Sequence, residues 1–176
     1  GLLLATFGGI SISNVGNLLA LGDIPLLYLT IPLSALAVAG LSNAYNMIDG
    51  IDGLAAGTIA LPLLVLYLLA QQSGHPMANA LLLLLVPVGV FLLFNLGPNN
   101  RVLPKMFLGD AGSMLLGFVL AWFRIEISQA PVDAVSPAAA LWFVALPVMD
   151  TVGVMLRRLL SGLSPFHADS QHLHHL

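Results

Sequence analysis

The sequence predicts an all-α fold, a polytopic transmembrane helix bundle. Of its 176 residues, 59% are hydrophobic and only 7% are charged, whereas an ordinary soluble domain has roughly 25% charged residues. The mean hydropathy of +0.98 leaves too little polar surface to cover a soluble globule. The apolar residues form continuous runs without strict alternation, which favours helices over the strands of a membrane barrel.

Composition also excludes other classes of protein. A net charge of -3 with no basic cluster is contrary to nucleic-acid binding, and the high hydrophobicity is contrary to disorder. The absence of cysteine rules out disulfides and thiolate metal sites within the sequence. Because it begins with Gly1 and ends in a polar motif, we expect it to be a fragment of a longer protein, forming one integral-membrane domain.

Five apolar stretches are long enough to cross a membrane, since a helix crossing a core of about 30 Å needs about 20 mostly apolar residues. These stretches are residues 24–41, 54–70, 78–95, 111–127 and 138–156. Residues 1–7 look like the end of an earlier span. The sequence thus predicts about five spans plus the end of another one.

Basic residues identify the side of the membrane on which each connection lies. One side has connections 42–53, 96–110 and 157–176, which contain Arg101, Lys105, Arg157 and Arg158. The other side has connections 8–23, 71–77 and 128–137, which contain neither Lys nor Arg. The positive-inside rule therefore predicts that the basic side is cytoplasmic.

The first cytoplasmic connection carries the pattern NAYNMIDGIDGL at residues 43–54. If this segment is helical, Asn43, Asn46 and Asp49 lie on one face, with Asp52 next in the row. Their oxygen atoms suit a hard cation or a polar ligand. Capping is the alternative role for Asn43 and Asp52. Capping does not account for Asp49, because a carboxylate close to the apolar region is costly and usually functional.

The second connection ends in the pattern KMFLGDAGS at residues 105–113. Asp110 stands where a span begins, so one possible role is that of an N-cap. Free backbone N–H groups at a helix start favour phosphate, and Lys105 adds positive charge. Asp110 would repel such a phosphate unless a cation lay between them. Magnesium fits this position because it takes oxygen ligands and bridges to substrate phosphates.

The third connection is rich in histidine, with His167, His172, His174 and His175. This cluster predicts contact with a metal or a phosphate. Zinc is one alternative, because His172 and His175 are three residues apart, and a solvated loop with incidental histidines is another. Asp150 lies in the last apolar stretch, about two turns before Arg157, and we expect it to form a structural pair or a helix-packing hydrogen bond.

Taken together and in this order, the three patterns resemble the polyprenyl-phosphate N-acetylhexosamine-1-phosphate transferases (glycosyltransferase family 4). The resemblance covers essentially the whole chain and is closest to the WecA-type branch, which makes undecaprenyl-diphosphate-N-acetylglucosamine. The His-x-His-His pattern at residues 172–175 favours this branch over the phospho-N-acetylmuramoyl-pentapeptide transferases of peptidoglycan synthesis, which have three adjacent histidines. Those transferases and, in a different class, a membrane transporter are the alternatives.

The resemblance implies transfer of a sugar phosphate in the first step of a cell-surface polysaccharide pathway. An oxygen of undecaprenyl phosphate attacks the sugar-linked phosphorus of a UDP-N-acetylhexosamine, and UMP leaves. The implied cofactor is Mg²⁺, with Mn²⁺ as an alternative, and the implied location is the bacterial inner membrane with the active site facing the cytoplasm. The partners are both substrates and the lipid bilayer, without nucleic acid, and a homodimer is an open alternative.

The resemblance also implies roles for individual residues in the first two patterns. Asn46 and Asp110 match the family's magnesium ligands. Phe107 matches an aromatic residue that stacks on uracil, and Asp52 matches an acid that pairs with uracil. Lys105 would neutralise phosphate.

The remaining implied roles concern the substrate site. Asp49 matches an essential carboxylate, and we expect Asn43 to bind substrate. His172, His174 and His175 match loop histidines that contact sugar or phosphate. The implied catalytic set is Asp49, Asp52, Asp110, His172, His174 and His175. The family's paired-aspartate motif, normally on an earlier cytoplasmic loop, is absent from this sequence, so we expect this stretch alone to be the C-terminal part of the catalytic core and to be inactive.

Overall fold

The computed structural model describes residues 2–16, 25–129 and 136–162, and the regular elements in these segments are helices. The α-helices are α1 (Leu2–Phe7), α2 (Thr30–Met47), α3 (Leu54–Gln72), α4 (Ala78–Asn95), α5 (Gly109–Ser128), α6 (Pro137–Trp142) and α7 (Ala145–Leu160). A 3-10 turn at Leu27–Leu29 leads into α2. The predicted all-α class is confirmed.

Four helical segments are long and apolar enough to cross a membrane, judged by length and composition. They are Leu27–Met47, Leu54–Gln72, Ala78–Asn95 and Gly109–Ser128, and each matches one of the first four predicted spans. The first of them continues to Met47, past the predicted end at residue 41. This extension matters for the site, because it places Asn43 and Asn46 on the last two turns of α2.

The stretch 138–156, predicted as one span, is instead two helices. α6 ends at Trp142 and α7 begins at Ala145, and Val144 between them has non-helical angles (φ -123°, ψ 16°). Pro147 provides a physical reason. It has no N–H to donate to the carbonyl of Phe143, and its ring would clash with that carbonyl in a continuous helix. The prediction of an unbroken fifth span is therefore wrong.

Helix α2 lies at the centre of the described bundle, packed most extensively against α5 and also against α7 and α1. Gly117 of α5 has no side chain, and this allows α5 to pack closely against α2. A Cβ atom added there would lie 2.9 Å from Ser42 Cα and 3.1 Å from the Leu41 carbonyl oxygen. Because the two backbones meet at this level, the end of α2 lies beside the beginning of α5.

Polar contacts hold the opposite end of the α2–α5 pair. The side-chain oxygen of Gln129, just after α5, accepts hydrogen bonds from the Ser13 hydroxyl (2.8 Å) and the Ser13 backbone N–H (3.0 Å). The Ile12 backbone N–H donates to Ser34 Oγ of α2 (2.8 Å). The described parts of the connections 8–23 and 128–137 thus meet at one end of the bundle, away from the polar residues of the first two patterns.

Candidate active site

Two residues from different sequence patterns are in direct contact where α2 ends and α5 begins. Asn46 Nδ2 donates to Asp110 Oδ1 at 3.1 Å, although the residues are 64 positions apart. The same nitrogen lies 3.2 Å from Ser113 Oγ, which is fully buried. Ser113 in turn donates to the Gly109 carbonyl at 3.0 Å, so Asn46 is positioned against the first turn of α5.

Asp110 is not the N-cap of its helix. The helix begins at Gly109, whose φ of +68° is readily adopted only by glycine. The N-cap residue is Leu108, which makes no side-chain capping bond. Asp110 therefore lies in the first turn, where the helix dipole favours a negative charge. The capping role considered for it is wrong, and its carboxylate is exposed at the end of the bundle.

The predicted helical row of Asn43, Asn46, Asp49 and Asp52 is only half correct. Helix α2 ends at Met47, so Asp49 and Asp52 follow in a turn instead of extending the row. Asn43 is exposed, and its Nδ2 lies 3.4 Å from Met47 Sδ. The first two residues of the row therefore share the helix, and the two carboxylates are carried by the turn after it.

Asp49 is half-buried and lies close enough to Asp110 for the two negative charges to interact. Burial raises the pKa of Asp49 above its ordinary value, and repulsion from Asp110 raises it further. The described site thus brings together the amide of Asn46 and the carboxyl groups of Asp49 and Asp110. These groups share hard oxygen donors and an excess of negative charge.

Asp52 and Lys105 form an ion pair across the two connections. Both side chains remain partly exposed, at 41% and 30%. Asp52 does not cap α3, because the N-cap is Gly53, with φ +76° and no side-chain capping bond. The capping role considered for Asp52 is therefore wrong. The structure pairs two residues for which the family resemblance implied separate contacts, Asp52 with uracil and Lys105 with phosphate.

Phe107 lies between Lys105 and α5 and is 75% exposed. An aromatic ring this exposed has a free face, which can stack on a planar ligand. We refer to Phe107 and the Asp52–Lys105 ion pair as the outer part of the site; Lys105 and Phe107 both precede Asp110 on the same connection.

Asn95, the last residue of the apolar stretch 78–95, is a buried residue next to the site that the sequence patterns did not predict. It is buried at the end of α4, where Oδ1 accepts from the Gly53 N–H (2.5 Å) and Nδ2 donates to the Met106 carbonyl (2.8 Å). The signal available in the sequence was an asparagine at the end of an apolar run. Its bonding partners depend on tertiary structure, so this signal alone could not define its role.

The third predicted component is the histidine cluster. His167, His172, His174 and His175 lie outside the described residues, so their position relative to Asn46 and Asp110 stays a prediction. The expected partner of Asp150 is also untested: Asp150 is buried in α7 and makes a polar interaction there.

The oxygen donors fit the implied magnesium ion by chemistry. Within residues 2–16, 25–129 and 136–162, no group of three or more His, Cys, Asp or Glu side chains could hold a metal. Mg²⁺ commonly uses one or two carboxylates and completes its shell with waters and substrate phosphates. The Asp110 carboxylate and the Asn46 amide oxygen have the chemistry of that sparse donor set, and the structure turns Asn46 Nδ2 toward Asp110 Oδ1.

Comparisons with known proteins identify the family of the chain. Residues 1–128 match the sequence family described as glycosyl transferase family 4. A relative from Escherichia coli (strain K12) is 37% identical over 180 residues, covering 100% of this chain and 48% of the relative. One from Salmonella typhi is 41% identical over 148 residues, covering 82% of this chain and 39% of the relative. Both are named undecaprenyl-phosphate alpha-N-acetylglucosaminyl 1-phosphate transferase.

The chain spans about half the length of the curated relatives it matches across its whole length. No solved structure matches it. The family match covers most of the chain, including the patterns that contain Asn46 and Asp110. The chain therefore belongs to glycosyl transferase family 4, as its three sequence patterns predicted.

Proposed function

We propose that the full protein transfers an N-acetylhexosamine-1-phosphate group from a UDP-N-acetylhexosamine to undecaprenyl phosphate, with UDP-N-acetylglucosamine as the first candidate donor. The products are the undecaprenyl-diphosphate sugar and UMP. The contact between Asn46 and Asp110 supports this proposal most directly, because it joins the two patterns at one end of the bundle. The names of the relatives supply the lipid acceptor and the transferred group.

The main physical problem in this reaction is negative charge. A lipid phosphate oxygen forms a bond to the sugar-linked phosphorus, and the bond from that phosphorus to the oxygen of the leaving UMP breaks. Phosphoryl transfer depends mainly on positioning and charge neutralisation. The chain provides Lys105 and the backbone N–H groups at the start of α5 for this purpose.

Asn46 and Asp110 are the residues that would hold a magnesium ion. When bound, the ion would neutralise the diphosphate and stabilise UMP as a leaving group. The role of the protein is to fix these two side chains, which it achieves by packing α2 against α5 at Gly117. Asp49 adds a second carboxylate, whose pKa is raised by burial and further by repulsion from Asp110.

The outer part of the site suits a nucleotide. Phe107 offers an exposed face for the uracil ring, and stacking between a base and an aromatic side chain contributes about 1–3 kcal/mol. Asp52 can accept a hydrogen bond from the N3–H of uracil once it separates from Lys105. Lys105 is then available to the phosphates, so the ion pair would be exchanged for two ligand contacts.

An apolar cavity beside the site suits the lipid acceptor. Its volume is about 510 Å³, and it lies between α2, α5 and the α6–α7 segment. Its lining extends along α2 from Ala44, two residues before Asn46, and reaches Asn14 at the other end of the bundle. An isoprenoid chain could lie along these apolar walls while its phosphate reaches the bundle end.

The proposal is tested by assaying the full-length protein with undecaprenyl phosphate and a panel of UDP sugars. We expect UMP release with UDP-N-acetylglucosamine, loss of release after chelation of divalent cations, and recovery with Mg²⁺. Asp110→Asn should abolish turnover. If UMP is released only when UDP-N-acetylmuramoyl-pentapeptide is the donor, the protein is instead a phospho-N-acetylmuramoyl-pentapeptide transferase. If no donor gives UMP release, the proposal is contradicted.

A further inference from the structure

We infer that Asn95 is a positioning residue, whose buried amide holds the segments 50–53 and 105–107 at a fixed separation so that they bind the nucleotide sugar together. The role of the two segments rests on the proposed function. The clamp itself rests on the hydrogen bonds and burial of Asn95.

Both ends of the Asn95 amide are used. Oδ1 accepts from the Gly53 N–H at 2.5 Å, and Nδ2 donates to the Met106 carbonyl at 2.8 Å. The side chain is only 5% exposed, so water cannot easily replace either bond. The amide of asparagine offers an acceptor and a donor at this length, and neither an ionised aspartate nor a leucine can make both bonds.

The bonded atoms belong to immediate neighbours of the ligand-facing residues. Gly53 follows Asp52, and Met106 lies between Lys105 and Phe107. The Asp52–Lys105 ion pair also joins the two segments, but it is partly exposed, and exposed ion pairs contribute little to stability. The buried amide is therefore the stronger connection between them.

The packing of α4 supports the same conclusion. A Cβ added to Gly53 would lie 2.6 Å from Leu96 Cδ2, so the residue after Asn95 is pressed against the first segment. The contact between Asn46 and Asp110 is held separately, by α2 and α5. Loss of the clamp should therefore weaken nucleotide binding more than it slows the chemical step.

Kinetic constants of the full-length protein test this separation. Asn95→Asp, assayed at a pH at which the new carboxyl group is ionised, keeps an acceptor for the Gly53 N–H but loses the donor to the Met106 carbonyl. We expect its KM for the UDP sugar to rise about tenfold, as the loss of one buried hydrogen bond implies, with kcat changed less than about threefold. Asn79→Asp is the matched control, an exposed site at the other end of α4, and should leave both constants unchanged. A fall in kcat at unchanged KM would contradict the inference.

A second measurement does not require turnover. The sequence contains no cysteine, so nitroxide labels can be attached at Ile51→Cys and Met106→Cys, both exposed positions. We expect dipolar EPR to give a narrow distance distribution in the parent and in Asn79→Asp, and a broader one in Asn95→Asp. An unchanged distribution in Asn95→Asp would overturn the clamp. Absence of UMP release from the unlabelled parent would instead contradict the proposed function and leave this result intact.

Discussion

Single residues of the site are arranged at a cost to folding. Asp49 and Asp110 are close enough to repel each other, and Asp49 is half-buried as well. A carboxyl group whose pKa is raised in the folded protein prefers its neutral form there. At neutral pH its ionisation therefore favours the unfolded chain. Such an arrangement is typical of sites in which function is retained at the expense of stability.

Removing the charge of Asp49 should stabilise the protein in a pH-dependent way. The penalty is absent below the ordinary pKa of aspartate, about 3.9, and grows as pH rises through the raised pKa of the folded state. We expect Asn at position 49 (Asp49→Asn) to raise the apparent Tm at about pH 7 and to leave it nearly unchanged at about pH 4. Thermal unfolding of the purified protein at both pH values measures this. An equal increase in Tm at both pH values would show that the charge of Asp49 is not the cause of the stabilisation.

Lys105 should affect ligand binding more than stability. Its pairing with Asp52 is partly exposed and contributes at most about 1 kcal/mol to folding. We expect Lys105→Gln to raise the KM for the UDP sugar roughly tenfold at low salt, and to have a smaller effect at high salt because exposed charges are screened. Arg101→Gln, an exposed cation on the same connection, is the matched control and should not change KM. Equal effects of both variants would point to general electrostatic attraction.

Between elements, the approach of α2 to α5 determines the geometry at Asn46 and Asp110. Gly117 lies against the backbone of Leu41 and Ser42, and a Cβ there would also come within 3.2 Å of Tyr45 Cβ. These neighbours are backbone atoms and the first atom of a buried side chain. They cannot rotate away, so an added methyl group must separate the helices.

We expect Gly117→Ala to destabilise the protein by about 1–3 kcal/mol, the usual cost of overpacking, and to reduce UMP release by separating Asn46 from Asp110. Gly57→Ala is the control, because a Cβ at Gly57 in α3 meets nothing within 4 Å. It should be neutral or stabilise by up to about 1 kcal/mol, as expected for alanine in a helix. Denaturant titration and the turnover assay measure both variants. A fully active Gly117→Ala would show that the close approach is not required.

Helix boundaries show which parts of the fold sequence reasoning can reach. Long apolar runs identified α3, α4 and α5 nearly to the residue, because hydrophobicity decides where a span lies. Hydrophobicity does not decide where a helix ends. Helix α2 continues to Met47 through polar residues, and the backbone stays helical there. Proline was equally ambiguous: Pro62 and Pro87 lie inside continuous helices, whereas Pro147 follows a break.

The candidate site could also be predicted only in part from the sequence. The resemblance to the family predicted that Asn46 and Asp110 belong to one site, and the two residues are in contact in the structure. The Asp52–Lys105 pair and the Asn95 clamp depend on how separate connections meet, and local sequence carries no such information.

For the whole molecule, the connections that carry the site meet at one end of the bundle and the Gln129 contacts lie at the other. Arg101 and Lys105 belong to the site end. Because positive charge is retained on the cytoplasmic side, we expect the site to face the cytoplasm, where nucleotide sugars are made available. This orientation determines which compartment can supply the donor.

Cysteine labelling tests the orientation, in a protein that is otherwise free of cysteine. Val102 is 81% exposed on the site-bearing connection, and Gln72 is exposed at the far end of α3, so the variants Val102→Cys and Gln72→Cys report on the two ends. We expect a membrane-impermeant thiol reagent applied to intact cells with a permeable outer membrane to label Gln72→Cys alone. After permeabilisation of the inner membrane it should label both. Labelling of Val102→Cys from outside would place Phe107, Lys105 and Asp110 on the side of the membrane that UDP sugars do not reach. That result would contradict the proposal that the donor is a nucleotide sugar.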